Sequence, residues 1–412
     1  MQVSSRSSTF RYGITKRPVL AIVLAIAGFV ITTFHQTLPG TFPAMFLHGS
    51  LRLSPAQVGV LAGILFVGIM ISGPIVGRLA DAYGRKGPLV ASTIILAVGT
   101  FLLALAPDYP LLLAARLLCG IGVGGVLPLI FAYLVDVLPP TWRGPSSLGM
   151  AASGGVTAFS VVFIIRLSMT LGPEGWRLAA HGFAIATLVA AAAYFFFVER
   201  PEATGLASEQ ADGAPSPPYS SRLIADYWRP FFALLVSAVC ITILNAGFFI
   251  MMVPMLLGRG FTEQGALAVT GIAVGGSTLS LAVGALISNH VPRYMLLAGA
   301  GIISLVSLGI FALIPGSVAT MIGAVGTIFG AGLCHGAINY FVAETFPNHL
   351  RGRATGFIVG VIGLASAITP VVVSLQFEKG GEKPPLLTIG LSLVILVSTL
   401  LLFAPRKPNR EA

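Results

Sequence analysis

The sequence predicts an all-α membrane protein of twelve spanning helices, arranged as two pseudo-symmetric six-helix bundles. Three observations carry that prediction. Of 412 residues, 56% are hydrophobic and only 9% are charged, whereas an average soluble domain is about a quarter charged. No packed globule hides that much apolar surface, so the solvent has to be lipid. Twelve apolar stretches approach or exceed the length of about 20 residues that a helix needs to cross hydrocarbon. Finally, the chain resembles itself at an offset of 208 residues.

The elements follow in order. Residues 1–17 form a polar, basic tail, and the apolar stretch 18–46 after it contains no small-residue cleavage site, which favours a retained helix over a removed signal peptide. The next five spans are 55–77, 87–106, 109–138, 145–171 and 177–198, completing a bundle over 18–198. Residues 199–229 form a linker rich in Pro, Gly, Ser and Ala. Its end places Leu223, Ile224, Tyr227 and Trp228 on one helical face. That segment is either a short interfacial helix or the start of the seventh span. The second bundle, 230–404, contains spans 230–258, 263–288, 294–314, 317–343, 353–377 and 384–404, followed by a tail over 405–412.

The net charge of +10 reads as topology rather than as affinity for nucleic acid. With both termini cytoplasmic, the inside segments hold 17 Lys and Arg residues and the outside segments 5, and Arg116 and Arg166 lie within spans. This bias fits the positive-inside rule and an even number of spans. Cys119, Cys240 and Cys334 all fall in apolar segments without metal-ligand spacing and read as packing residues.

The repeat matches in three regions. Ser54 aligns with Thr262, each heading a span, and Pro55 and Gln57 complete a capping-box pattern behind Ser54. Gly63 aligns with Gly271. Asp136-x-x-Pro139-x-x-x-Arg143-Gly144 aligns with Glu344-x-x-Pro347-x-x-x-Arg351-Gly352, with Gly122 and Gly124 aligning with Gly330 and Gly332. Two further glycine ladders, Gly120/Gly124 and Gly352/Gly356/Gly360, read as close-packing faces.

Between the second and third spans the chain reads Gly77-Arg-Leu-Ala-Asp81-Ala-Tyr-Gly84-Arg85-Lys86. Glycines there allow close helix approach or positive φ. Asp81 suits a helix N-terminus or a basic partner, and Arg85 a carboxylate. The fourth span carries Arg116-Leu-Leu-Cys119-Gly120-Ile-Gly122-Val-Gly124-Gly125. With its twelve spans and central linker, the whole chain resembles the major facilitator superfamily, whose motifs in these two places read this way. The resemblance implies a cytoplasmic charge latch at Gly77, Asp81, Gly84, Arg85 and Asp136, with Arg143 as a further member. Residues 285–293, at the 208 offset, lack the glycines and the carboxylate, so the latch is expected to be stronger in the first half.

None of the 14 acidic residues falls near a helix middle, whereas Arg116 and Arg166 lie inside spans. Intramembrane charge is costly and usually functional. The resemblance implies that the first, fourth, seventh and tenth helices line a central cavity, with the fifth adjacent. Arg116, Arg166, His35, Asn245 and His335, with Asn339 and Tyr340 deeper in the tenth span, then form a substrate-binding set suited to a carboxylate. Other readings stand beside this one. Arg116 is equally suited to a bond across to a carbonyl, Arg166 to snorkelling, and the histidines to ordinary satisfied polar positions. Asn339 and Tyr340 suit packing as well.

The expected function is a proton-coupled secondary transporter that takes up an organic anion by alternating access. Proton-coupled efflux of a drug or metabolite is the alternative, and a non-transporting sensor is a remoter one. The sequence shows no nucleotide motif or catalytic cluster, so no enzyme activity and no cofactor are expected, and the proton gradient is the energy source. The expected partners are a small-molecule substrate, protons and the lipid bilayer, with no nucleic acid. The expected state is a monomer in a bacterial inner membrane.

Overall fold

The computed structural model describes residues 17–46, 51–172, 174–198, 221–287, 291–346 and 348–403. Among the described residues the secondary structure is helical. The first half contains α1 (Pro18–Thr37), which continues through a 3-10 turn (Leu38–Thr41) into the short α2 (Phe42–Phe46), then α3 (Pro55–Tyr83), α4 (Lys86–Leu105), α5 (Tyr109–Val137), α6 (Pro140–Ser168) and α7 (Gly175–Phe197). The second half contains α8 (Ser221–Thr242), a π turn (Ile243–Gly247), α9 (Phe248–Gly258), α10 (Glu263–Ile287), α11 (Arg293–Leu313), α12 (Ser317–Thr345), α13 (Asn348–Gly380) and α14 (Lys383–Phe403). Eleven spans are long and apolar enough to cross a bilayer among the described residues. The remaining predicted stretch, 263–288, corresponds to α10. α8 starts at Ser221 and runs unbroken into the span that begins at Trp228.

The polypeptide divides into two compact units. The first comprises the described residues within Met1–Gln36, Ile64–Gly154 and Arg177–Tyr219, and the second those within Thr37–Gly63, Gly155–Trp176 and Ser220–Ala412.

In the first unit α5 packs against α3 and α4 through glycines. A Cβ on Gly122 would lie 2.7 Å from the Leu96 amide nitrogen, and one on Gly124 would lie 2.7 Å from the Ile69 carbonyl oxygen. Gly120, the other member of that ladder, is as close to Leu65 of α3. The second unit repeats the arrangement with α12 against α10 and α11. A Cβ on Gly330 would lie 2.9 Å from the Ser304 nitrogen, and one on Gly332 would lie 2.7 Å from the Ser277 oxygen. Both the glycines and the backbone atoms they approach are 208 residues apart, so the repeat in the sequence is a repeat of packing. The ladder on α13 differs: what packs around Gly352 and Gly356 is outside the described structure, and a Cβ on Gly360 would meet open space. There α3 supplies the small residues instead: a Cβ on Gly59 would lie 2.5 Å from the Pro370 carbonyl oxygen.

The second unit also joins segments of both sequence halves. Gly63 of α3 meets Ala367 of α13, and Gly271 of α10 meets Phe159 of α6. Residues 159 and 367 are themselves 208 apart, so the two seams are reciprocal, as a two-fold relation between repeats requires. At the head of α3, the expected capping box forms. The Ser54 amide donates to Gln57 Oε1 at 2.8 Å, and the Gln57 amide donates to Ser54 Oγ at 3.3 Å. Glu378 of α13 completes it by accepting from the Ala56 amide at 2.9 Å and from Ser54 Oγ at 3.2 Å.

Arginines close two helix C-termini. Arg177 donates to the Ala104 and Ala106 carbonyls at 2.7 and 2.8 Å, at the end of α4. Arg259 donates to the Phe311 carbonyl at the end of α11, lies over the Phe311 ring, and holds Glu382 through two bonds at 3.0 and 3.1 Å. Both place positive charge at the negative end of a helix.

Replacing Gly124 or Gly332 by leucine is expected to lower stability by about 1–3 kcal/mol through overpacking. Gly360→Leu is expected to be near neutral. Thermal unfolding in detergent checks the difference.

Candidate functional site

The polar groups inside the first unit converge on His35. Its ring comes from the last turn of α1 and is fully buried, at 0% exposure. Arg116, also at 0% exposure, reaches it from α5. Arg116 Nη2 donates to the His35 carbonyl at 2.6 Å, and Nη1 meets His35 Nδ1 at 3.3 Å. A guanidinium has donors only, so Nδ1 accepts and the ring proton lies on Nε2. Nε2 then donates to Thr100 Oγ1 of α4 at 3.0 Å, and the Thr100 hydroxyl donates to the Leu96 carbonyl at 2.7 Å. The relay Arg116–His35–Thr100–Leu96 ties α5, α1 and α4 together. Phe34 stacks on Phe183 of α7, with ring centroids 3.7 Å apart, and covers the relay from the next position along α1.

Of the readings open for Arg116, the bond across to a carbonyl is the one present. Neither Arg116 nor His35 offers surface to a solute in this conformation. Thr100 was not anticipated from the sequence; the only signal for it is a hydroxyl seven residues after Thr93 on a largely apolar helix.

Three other candidates belong to the second unit. Arg166 lies half-buried in the last turn of α6. Asn245 sits half-buried in the π turn between α8 and α9. Such turns widen the helix locally and often mark functional positions. His335 lies within α12 and is exposed. The side chains of Asn339 and Tyr340 lie outside the described residues.

For the latch motif, Gly84 adopts φ 80° at the turn between α3 and α4, where glycine is favoured. Arg85 follows at the head of α4, half-buried, and Gly77 is exposed with open space beside it. The side chains of Asp81, Asp136 and Arg143 lie outside the described residues. Cys119, Cys240 and Cys334 are free and buried.

Apolar spanning helices, a parallel packing repeat and polar groups held within the membrane define the class: a multi-pass integral membrane protein built for moving small solutes. More particularly, the chain belongs to the Major Facilitator Superfamily, whose family model matches residues 24–370. It is similar to the gentisate transporter of Corynebacterium glutamicum, 24% identical over 88% of this chain and 82% of that protein. A probable 4-methylmuconolactone transporter of Cupriavidus pinatubonensis is 30% identical over 78% of this chain and 76% of its own length. The 3-(3-hydroxy-phenyl)propionate transporter of Escherichia coli is 26% identical over 84% of this chain and 86% of its own. Among solved structures, the fold resembles a bacterial homolog of the human lysosomal transporter Spinster, with TM-score 0.71 and 16% identity over 93% of this chain and 95% of that one. It equally resembles a D-xylose–proton symporter, with TM-score 0.71 and 17% identity over 94% and 97%. The chain is therefore a membrane transporter and not an enzyme, and its bacterial relatives support an inner-membrane location.

Arg116→Ala removes two hydrogen bonds from a charged donor, each contributing about 1.5–3 kcal/mol, and is expected to destabilise the folded protein by about 3 kcal/mol. Arg166→Ala is expected to shift stability by less than about 0.5 kcal/mol. Thermal unfolding of the detergent-solubilised variants separates the two roles; an Arg116→Ala variant as stable as wild type would refute the relay as a framework.

Proposed function

We propose that the chain takes up an organic carboxylate together with protons, acting as a monomer by alternating access between bundles 18–198 and 230–404, with both termini cytoplasmic. The observation that carries the substrate class is the set of near-full-length relatives. They are named for gentisate, 4-methylmuconolactone and 3-(3-hydroxy-phenyl)propionate, of which the first and third are aromatic carboxylates. The placement of charge supports the same sign. Every Asp and Glu within a described helix lies within two turns of a helix end. A cation site would call for a carboxylate deeper in the membrane.

In this reading Arg166, Asn245 and His335 contact the solute, together with Asn339 and Tyr340. Arg116 and His35 hold the helices that frame it. The reciprocal seams, α3 on α13 and α10 on α6, support alternating access, because a glycine on one side of each keeps two large side chains from interlocking there. The motif from Gly77 to Arg85, with Asp136 and Arg143, supplies the latch.

Proteoliposomes with labelled gentisate or 3-(3-hydroxyphenyl)propionate test the proposal. Uptake is expected to rise under an inward proton gradient and to collapse with a protonophore; accumulation of organic cations alone would overturn it. Arg166→Ala is expected to raise KM for the carboxylate at least about tenfold, the equivalent of about 1.4 kcal/mol, at unchanged thermal stability. For the latch, Asp81→Asn is expected to slow turnover more than Asn289→Ala, and equal effects in the same assay would remove the asymmetry.

A further inference from the structure

Away from the residues proposed to contact the solute, the first unit contains a cavity of about 230 Å³ where three helix ends meet. Arg17 and Leu20 line it from the head of α1, Tyr133 from near the end of α5, and Phe196 and Phe197 from the end of α7. Among the described residues, no acidic side chain lines it. Its rim is apolar and open: Phe196 is 72% exposed, Phe197 51%, and Val19, beside Leu20, 62%. Lys86 Nζ, at the head of α4, lies 5.8 Å from the centroid of the ring of Phe195, which precedes Phe196 on α7.

The lining is amphipathic. The Arg17 guanidinium at the head of α1 lies among exposed apolar side chains at the end of α7, with the Tyr133 phenol about one turn inside the end of α5, and helix ends are where hydrocarbon gives way to headgroups. Water occupies about 30 Å³ per molecule in the liquid, so the cavity has room for several water-sized groups. That suits a phosphoglycerol headgroup and excludes a whole lipid. Basic pockets between spanning helices attract anionic headgroups, each Lys or Arg contributing about 1 kcal/mol near the surface. A soluble anion would gain nothing from the exposed Val19 and Phe196, whereas acyl chains would lie along them.

We propose that this cavity is a lipid site that holds the headgroup of one anionic phospholipid, its phosphate on Arg17 with Lys86 as the second cation, and its acyl chains along Val19 and Phe196. The site is peripheral, separate from the residues proposed to bind the transported solute. Its occupancy would brace α1, α5 and α7 at the leaflet on the side of the N-terminus.

The test is thermal unfolding of the delipidated full chain in detergent, titrated with phosphatidylglycerol, with phosphatidylcholine of the same chains, or with soluble glycerol 3-phosphate. Phosphatidylglycerol is expected to raise Tm saturably and the other two not. Arg17→Gln is expected to weaken its apparent affinity about fivefold, the equivalent of about 1 kcal/mol, while Arg17→Lys and the remote Arg52→Gln keep it. Equal stabilisation by phosphatidylcholine, or an equal loss in Arg17→Gln and Arg52→Gln, would overturn the site. Full stabilisation by glycerol 3-phosphate alone would make it a free-anion site and overturn the lipid assignment. Should Arg17→Gln not fold, the wild-type phosphatidylglycerol shift is read against salt: it must fall as salt rises, and a salt-insensitive shift overturns the proposal.

Discussion

A hydrocarbon interior offers no hydrogen-bond partner to a backbone amide or carbonyl, and the rest of this structure follows from that one constraint. Each span has to satisfy its own backbone, so each is a helix. Once every span is a helix in a solvent as apolar as its own side chains, burial of apolar surface no longer drives the helices together. Close backbone approach takes over. Glycine allows it, at Gly122 and Gly124 in one unit and at Gly330 and Gly332 in the other. A side chain at any of these positions would collide with backbone, so the glycines mark where the helices cross.

The same constraint governs the polar side chains. Hydroxyls within the spans bond back to carbonyls of their own helix, as Thr32, Thr93 and Thr270 do to Gly28, Leu89 and Ala266. Arginines serve carbonyls that have no helical partner. Arg177 closes α4 and Arg259 closes α11, from positions that the 208-residue offset does not relate. The two halves meet the same physical need with different residues. The need belongs to the helix end, and any side chain that reaches it satisfies the carbonyls. The relay through His35 is the buried form of this rule. Its members come from three helices, and each uses its polar atoms on another.

Much of the fold was legible because the signals were local. The twelve apolar stretches, the capping box at Ser54 and the turn that needs positive φ at Gly84 are each set within a few residues. The repeat was legible as well, since its two copies preserve the glycines that packing requires. The site was less legible. Arg116 and Arg166 look alike as charges in apolar runs, yet one is enclosed by α1 and the other stands in the last turn of α6. Thr100 carried almost no signal, because a threonine inside a spanning helix ordinarily bonds its own backbone, and only the approach of His35 gives it a second partner. Pairing Glu378 with the head of α3 joins residues more than 300 positions apart, and no period or motif announces it.

The sequence by itself determined the solvent, the number and order of the helices, the internal repeat and the excess of positive charge. All of these are properties of single segments or of their sum. Only the tertiary structure decided which polar groups are occupied by other parts of the protein. It enclosed Arg116 and His35 as a framework, left surface on His335, and gathered Arg17, Tyr133 and Phe196 around one cavity. The physical reason is that hydropathy is a sum along the chain, whereas the availability of a charged or polar atom depends on which neighbours three-dimensional packing brings within hydrogen-bond reach.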